Sequence, residues 1–350
     1  MRWLWRRWRL NEGLPVRLLL QWHITDACNL KCTHCYDAGQ KRMDLPFSDL
    51  LDIYKQYNEF LLSLPVAYRG RRGHINITGG EPFVRKDFIE LLSLFFENTS
   101  LHGTGILTNG SLLDASMSSY LKRFQVSFIQ LSLEGSREIH DAIRGPGDYE
   151  RTLQSIRMLA RDDHDVHVSF TVHGYNADFL EDAALAARNA GARSIWCDRL
   201  IPEGRAGGLK DSSMHADAIM NFMKSLSFIS LKYSDKKFKV KMNRALQFLF
   251  GGGKPYRCSA GDTLITIMPD GTLYPCRRLP LSAGNVIEDS LRNVYTQSPL
   301  LKRLREHEVP VACKLCQFRM DCNGGLRCLS SAVLKDPFAK DPGCWLTFHS

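Results

Sequence analysis

From Val16 onward the chain alternates six short apolar runs, at about 16–25, 74–78, 103–108, 127–133, 165–172 and 193–200, with stretches of helical periodicity. The helical stretches lie at about 47–64, 86–98, 111–123, 148–161, 177–190 and 212–230. A strand followed by a helix returns parallel to its predecessor, so six such units predict an α/β fold whose parallel sheet curls into a barrel or part of one. Function is then expected at the C-terminal ends of the strands. Ser48 marks the start of the first helical stretch, and Asp114 or Ser111 can cap the third. Phe88, Leu91, Leu92, Phe95 and Phe96 recur at helical spacing and read as core.

Where the first strand ends, Cys28, Cys32 and Cys35 follow in the order C-x₃-C-x₂-C. An ordinary zinc or iron–sulfur site takes four protein ligands, whereas a [4Fe–4S] cube gripped by three thiolates leaves one iron free for another ligand. Two blander readings stay open for the triplet alone: a zinc knuckle completed by His34, or thiols that fill a core.

The 350 residues, 44% hydrophobic and 24% charged, have the composition of a globular protein with room for one large domain and a smaller one. There is no apolar run of membrane-spanning length, and the first ten residues lack the pattern of a secretory signal, which points to the cytoplasm. Eleven cysteines grouped in C-x₂-C units in a reducing compartment favour metal over disulfide. The formal charge of +9 includes Arg2, Arg6, Arg7 and Arg9, interleaved with Trp3, Trp5 and Trp8. That segment is either a basic aromatic surface for an acidic peptide, a membrane or nucleic acid, or a frayed extension.

Other strand ends carry polar turns. The second closes on Gly79-Gly80-Glu81-Pro82, where paired glycines allow close backbone approach and expose peptide groups to a ligand. The third ends in Thr108-Asn109-Gly110, and the fourth carries Ser132-Leu133-Glu134-Gly135, followed by His140, Asp141 and Arg144. In this architecture such groups converge on one mouth, beside the thiol triplet.

The triplet, Gly79-Gly80-Glu81-Pro82, the Ser132 stretch with Arg144 twelve residues beyond, and the six β–α units together resemble the radical S-adenosylmethionine enzymes over about residues 16–225. The resemblance implies a partial (β/α)6 TIM barrel in which Cys28, Cys32 and Cys35 hold a [4Fe–4S] cluster that binds S-adenosyl-L-methionine. It places His34 near the adenine, Gly79, Gly80, Glu81 and Pro82 at the methionyl amine, and Asn109, Ser132 and Arg144 at the ribose or carboxylate. The implied chemistry is reductive cleavage to a 5′-deoxyadenosyl radical, which removes hydrogen from an unactivated carbon of the substrate. The catalytic proton donor or acceptor is not assigned.

Beyond residue 230 the alternation stops, and Gly251-Gly252-Gly253-Lys254-Pro255 reads as a linker. Leu264–Met268 and Thr272–Tyr274 flank Pro269-Asp270-Gly271, a hairpin signal. Around it lie Cys258, Cys276, Cys313, Cys316, Cys322, Cys328 and Cys344, too dense a set for core packing. Their order resembles the SPASM domain, except that five residues rather than three separate Cys322 from Cys328. By that resemblance, Cys258, Cys276 and Cys328 hold one auxiliary [4Fe–4S] cluster and Cys313, Cys316, Cys322 and Cys344 a second. The first then has an open iron or a ligand that is not a thiolate. The leftover Cys197 reads as an inert buried thiol.

The expected division is a basic extension over 1–15, the partial barrel over 16–230, a linker or connecting helix over 231–254 and a smaller cysteine-rich SPASM domain with two auxiliary clusters over 255–350. By family resemblance the substrate is most often a ribosomally made peptide, which is cross-linked, decarboxylated or epimerised. Small-molecule or tetrapyrrole cofactor maturation is the alternative; a non-catalytic iron–sulfur or zinc-binding protein is the reading from another class. Sulfatase maturation is disfavoured, because Arg277 follows Cys276 where those enzymes place an aspartate base. The implied partners are a low-potential electron donor, a ferredoxin or flavodoxin, and a separate leader-binding protein, since the residues before the first strand are too few for such a domain. Nucleic acid is not expected among them.

Overall fold

The computed structural model describes residues 14–37, 42–64, 71–212 and 214–347. The Trp/Arg segment lies outside them. Strands β1 (Leu18–His23), β2 (Gly73–Thr78), β3 (His102–Leu107), β4 (Phe128–Ser132), β5 (Val166–Val172), β6 (Ser194–Arg199) and β7 (Lys239–Lys241) form one parallel sheet in sequence order. Between them run helices α1 (Phe47–Ser63), α2 (Phe88–Phe96), α3 (Ala115–Lys122), α4 (Arg137–Arg144), α5 (Asp148–Arg161), α6 (Leu180–Asn189) and α7 (Ala216–Tyr233).

The C-terminal region carries α8 (Phe248–Gly251), β8 (Leu264–Ile267), β9 (Thr272–Tyr274), β10 (Gly284–Asn285), α9 (Leu291–Gln297), α10 (Pro299–Glu306) and α11 (Arg327–Leu334). The expected hairpin is present as β8 and β9. It is not a separate layer, because β8 also pairs in parallel with β1, from Leu19↔Leu264 to Trp22↔Ile267. The sheet therefore has ten strands, ordered β10-β9-β8-β1-β2-β3-β4-β5-β6-β7.

Side chains on these strands point alternately to two faces. Leu18, Leu20, Trp22, Ile75, Ile77, Ile129, Leu131, Val168, Phe170 and Ile195 face the helices and are buried, packing with Leu50, Ile53, Tyr57 and Phe60 of α1 and their counterparts. The opposite face carries Gln21, Asn76, Gln130, Ser132, Ser169, Trp196 and Asp198, all half-buried. Trp196 Nε1 donates to Gln130 Oε1 at 3.1 Å, spanning from β6 to β4 across this polar inner wall. Fully covered parallel strands would be apolar on both faces; these leave one face of the partial barrel for a polar guest.

Three local expectations need correction. Ser48 does not cap α1: the helix starts at Phe47 behind Pro46, and Ser48 Oγ donates to the Asp49 carboxylate at 3.3 Å. The segment 231–254 is not merely a connection, since it contains β7, which extends the sheet. The polar residues after β4 are not a strand-top loop but α4, capped by Ser136 Oγ and stopped at Gly145 (φ 123°). Only Ile139 and Ile143 give α4 an apolar stripe, too short a signal beside its charged neighbours. Asp114 caps α3 as expected, accepting from Met117 N at 2.7 Å. Phe96 is 40% exposed, unlike Phe88, Leu91, Leu92 and Phe95, which are in the core.

Candidate functional site: the thiol loop and the inner wall

The thiol triplet occupies the loop that leaves β1, and the neighbouring strand ends hold that loop by its backbone. Gly80 N donates to Thr25 O and Glu81 N to Ala27 O, both at 2.8 Å. A Cβ on Gly80 would stand 2.3 Å from Ala27 O, and one on Gly79 (φ 151°) 2.4 Å from Thr25 O. The paired glycines are thus required by backbone against backbone. The N–H groups of Gly80 and Glu81 are committed to the triplet loop, which leaves the carbonyl oxygens of the turn as the groups that would meet an amine. Gly80→Ala is expected to destabilise the protein by about 1–3 kcal/mol through overpacking and to displace the loop. Urea melts and iron uptake on reconstitution check this; a variant with unchanged melting midpoint and iron content contradicts it.

Glu81 is fully buried and points inward beneath this contact. Its carboxylate accepts from Thr108 Oγ1 and from Asn109 N, both at 2.7 Å, and so ties the end of β3 to the end of β2. Burial pushes its pKa up to about 7, against the opposing pull of these hydrogen bonds and of Arg144. Pro82 begins a single 3₁₀ turn for which Glu81 is the cap. Asn109 Nδ2 donates to Asn29 Oδ1 at 2.9 Å, and Asn29 Nδ2 to Ser111 Oγ at 2.8 Å. Asn109 therefore grips the triplet loop between Cys28 and Cys32.

On the other side the loop meets α4 and a charged network. Thr33 N donates to Ile143 O at 2.9 Å. Glu134, fully buried, accepts from Arg144 Nη2 at 2.7 Å and Nε at 3.2 Å, from Thr171 N at 2.9 Å, and pairs with His34 Nε2 at 3.1 Å. Arg144 Nη1 lies 4.0 Å from Cys32 Sγ. Arg205 completes the frame, its backbone N donating to Cys35 O at 3.0 Å and its Nε to Cys32 O at 2.9 Å. Ser132 Oγ meets Ser169 Oγ at 3.2 Å on the inner wall.

These residues fit a thiolate-held cluster with a polar ligand beside it. Burial raises the thiol pKa of Cys28 and Cys32, so taking up metal releases protons. The buried atoms His34 Nδ1 and His173 Nε2 have no hydrogen-bond partner, and the two rings lie 6.4 Å apart. Unpaired polar atoms at such depth suit a bound polar molecule. Glu134, Arg205 and His173 were missed as site residues by sequence reasoning. Glu134 lies in a stretch already singled out, two residues past β4, whereas Arg205 sits in an irregular 3₁₀ segment with no pattern to reveal it.

The C-terminal thiols form two groups. Cys313, Cys316, Cys322 and Cys344 line one hollow with Gly324, Lys340 and Asp341. Cys258, Cys276 and Cys328 pack in a second small core with Tyr36 and Tyr256. The extra residues between Cys322 and Cys328 have a visible purpose. Asn323, Gly324 and Gly325 all have positive φ, of 51°, 85° and 85°, turning the chain away from the first hollow so that α11 delivers Cys328 to the other group. Arg277 and Arg278 stand beside Cys276, where Arg278 pairs with Asp198 and donates to Arg199 O. Cys197 is 1% exposed in the main core, and burial raises its thiol well above the ordinary range.

The family profile described as the radical SAM superfamily matches residues 22–186, and that of the SPASM iron–sulfur cluster-binding domain matches 258–323. The chain is 29% identical over 340 residues to the mycofactocin maturase MftC of Mycolicibacterium smegmatis, covering 91% of this chain and 80% of that protein. It is 27% identical to the AdoMet-dependent heme synthase of Methanosarcina barkeri, covering 93% and 95%. Among solved structures, Streptococcus suis SuiB bound to its precursor peptide SuiA shares the fold with a TM-score of 0.73 at 18% identity, covering 96% of this chain and 77% of that one. One profile falls on the barrel that frames the first thiol loop and the other on the region bearing the remaining thiols; the chain carries a radical SAM domain followed by a SPASM domain and is an enzyme of the radical SAM type that uses [4Fe–4S] clusters and S-adenosylmethionine.

Proposed function

We propose that this enzyme modifies a ribosomally made peptide by hydrogen abstraction on the inner wall of its partial barrel. The observation that carries the reading is the polar, half-buried wall between the first thiol loop and the Cys258, Cys276 and Cys328 group, in a chain similar to a peptide maturase across nine-tenths of its length. SuiB, whose structure holds a precursor peptide, shares the frame. A second reading, modification of a tetrapyrrole, is favoured by the similarity to the heme synthase.

Cys28, Cys32 and Cys35 would hold the first cluster, and the Gly79–Pro82 turn, Asn109, Ser132, Arg144 and His34 would surround S-adenosylmethionine. Cys313, Cys316, Cys322 and Cys344 would hold one auxiliary cluster, and Cys258, Cys276 and Cys328 another. When bound and reduced, this assembly supplies a carbon radical able to take hydrogen from an unactivated carbon. The chain's own contribution is positional. Glu81 and Asn109 fix the triplet loop from one side, and Glu134 from the other through Arg144 and His34. Arg144 places a positive charge beside Cys32, which favours the thiolate. Reducing equivalents come from a ferredoxin or flavodoxin in this reading, and a separate protein can present the peptide leader. No helix among the described residues is long and apolar enough to cross a membrane.

The test is anaerobic turnover of the reconstituted enzyme with a short peptide encoded beside its gene. A mass change in the peptide with 5′-deoxyadenosine release supports the reading. Conversion of a porphyrin carboxylate with no change in any peptide overturns it. Cys32→Ala is expected to lose about four irons per chain and all 5′-deoxyadenosine formation; iron analysis and chromatography check this, and full turnover by the variant under anoxia would refute the cluster assignment.

A further inference from the structure

Arg244, Arg277 and Arg278 lie beyond the first thiol loop, and of the three Arg278 makes the close ion pair. Ser132 lies opposite Ser169, and Ser169 opposite Trp196, across the neighbouring strands β4, β5 and β6. Two strand spacings put Trp196 about 10 Å from Ser132. Above Trp196 on the same face stands Asp198, and over the Trp196 ring lies the Arg244 guanidinium, 4.4 Å from its centroid.

Asp198 is the carboxylate that Arg278 and Arg244 share. Arg278 takes it directly and also donates to Arg199 O. Arg244 Nε stays 3.9 Å away and makes no hydrogen bond although it is buried. Arg277 Nε is likewise buried and without a partner. Arg277 sits near Tyr36, the residue after Cys35, and follows Cys276, so its charge lies between the two thiol groups. Both arginines are half-buried, with the Arg244 side chain 34% exposed, so each guanidinium stays within reach of an arriving group while its buried Nε–H lacks an acceptor that an anion can supply.

We infer that Arg244 and Arg277 form a carboxylate-binding end of the substrate site: the substrate presents a carboxylate, from its chain terminus or from an acidic side chain, between Trp196 and Cys276. This rests on the inner wall being the substrate site, and it narrows the class of substrate to acids. The planar forks of arginine suit two-point recognition of that group. The carbon to be attacked then lies between this anchor and Ser132, a span of a few bonds.

The experiment is affinity selection with mass-spectrometric readout on the full-length reconstituted enzyme. Four probe pools are offered: N-acetylated hexapeptides without Asp or Glu ending in a free carboxylate, the same peptides amidated, amidated hexapeptides with one Glu, and aromatic carboxylic acids that are not peptides. Wild type is expected to retain acids about tenfold over their amides, the range of a charge-assisted hydrogen bond. Arg244→Gln and Arg277→Gln lose that preference and Arg244→Lys keeps part of it, with iron content and the cluster EPR signal of Arg244→Gln unchanged. Retention of the first pool alone identifies a chain terminus, and of the third an acidic side chain. Retention of only the non-peptide acids upholds the anchor and removes the peptide reading. Equal retention of acids and amides by wild type overturns the proposal. So does a preference for acids that survives in both glutamine variants while Arg277→Gln alters only the EPR signal, for the arginine then serves the cluster charge.

Discussion

Asp341→Ala is expected to lower the unfolding free energy by about 3–5 kcal/mol, the cost of leaving a buried charge without its partner. Arg199, at the end of β6, donates through Nη1 and Nη2 to the two carboxylate oxygens of Asp341 at 2.7 and 2.6 Å. Both residues are buried, with 5% and 1% of their surface exposed. The same carboxylate accepts from Leu326 N at 3.0 Å and Gly343 N at 2.9 Å, and Asp341 O accepts from Cys344 N at 3.0 Å. One side chain thus joins the barrel to the turn before α11 and to Gly343, the neighbour of the last thiol. Urea melts measure the loss, and iron analysis should fall with it as the hollow of Cys322 and Cys344 slackens. A loss below about 1 kcal/mol, the range of an exposed pair, would show that the bridge is not held as described.

The second large effect is expected at Glu134. Glu134→Ala leaves Arg144, His34 and Thr171 N without their shared acceptor, at a cost of about 3–5 kcal/mol. It also frees the triplet loop on one side, so iron uptake should fall even in variant protein that stays folded. Burial alone would raise the Glu134 pKa, but the charges of His34 and Arg144 and the bond from Thr171 outweigh it and hold the carboxyl well below the usual range. A folded pKa below the unfolded one gives stability that is present above pH ~4.3 and lost as pH falls beneath it. The wild type should therefore lose stability on acidification more steeply than the alanine variant. Parallel curves for the two proteins from pH 6 to pH 3.5 would rule out Glu134 as the source.

Much of the frame could be read from the chain because its signals are local. Each strand from β1 to β6 is an apolar run closed by polar turn residues, and the thiol intervals mark metal by spacing alone. The features that were hidden depend on distant partners. The pairing of β8 with β1 joins residues some 245 apart, and nothing near either strand announces it. Gly79 and Gly80 were rightly singled out, yet their purpose depends on Ala27 and Thr25, which only the folded loop brings against them. Arg144 was legible as a charge, while α4, which carries it, was masked by its own polarity. Asp341 had no signal at all: an acid between Lys340 and Pro342 reads as surface until Arg199 is seen opposite it.

The lateral partnership of β1 bears on how the protein is made. A ribosome adding about 5–20 residues per second delivers β8 tens of seconds after β1, so one flank of β1 stays uncovered while the residues between them are made. The cysteines just past β1 emerge early into a half-built frame that cannot yet exclude solvent or oxygen. Insertion of the metal is expected to follow the pairing of β8 with β1, so iron delivery acts on a chain that already holds its C-terminal strands.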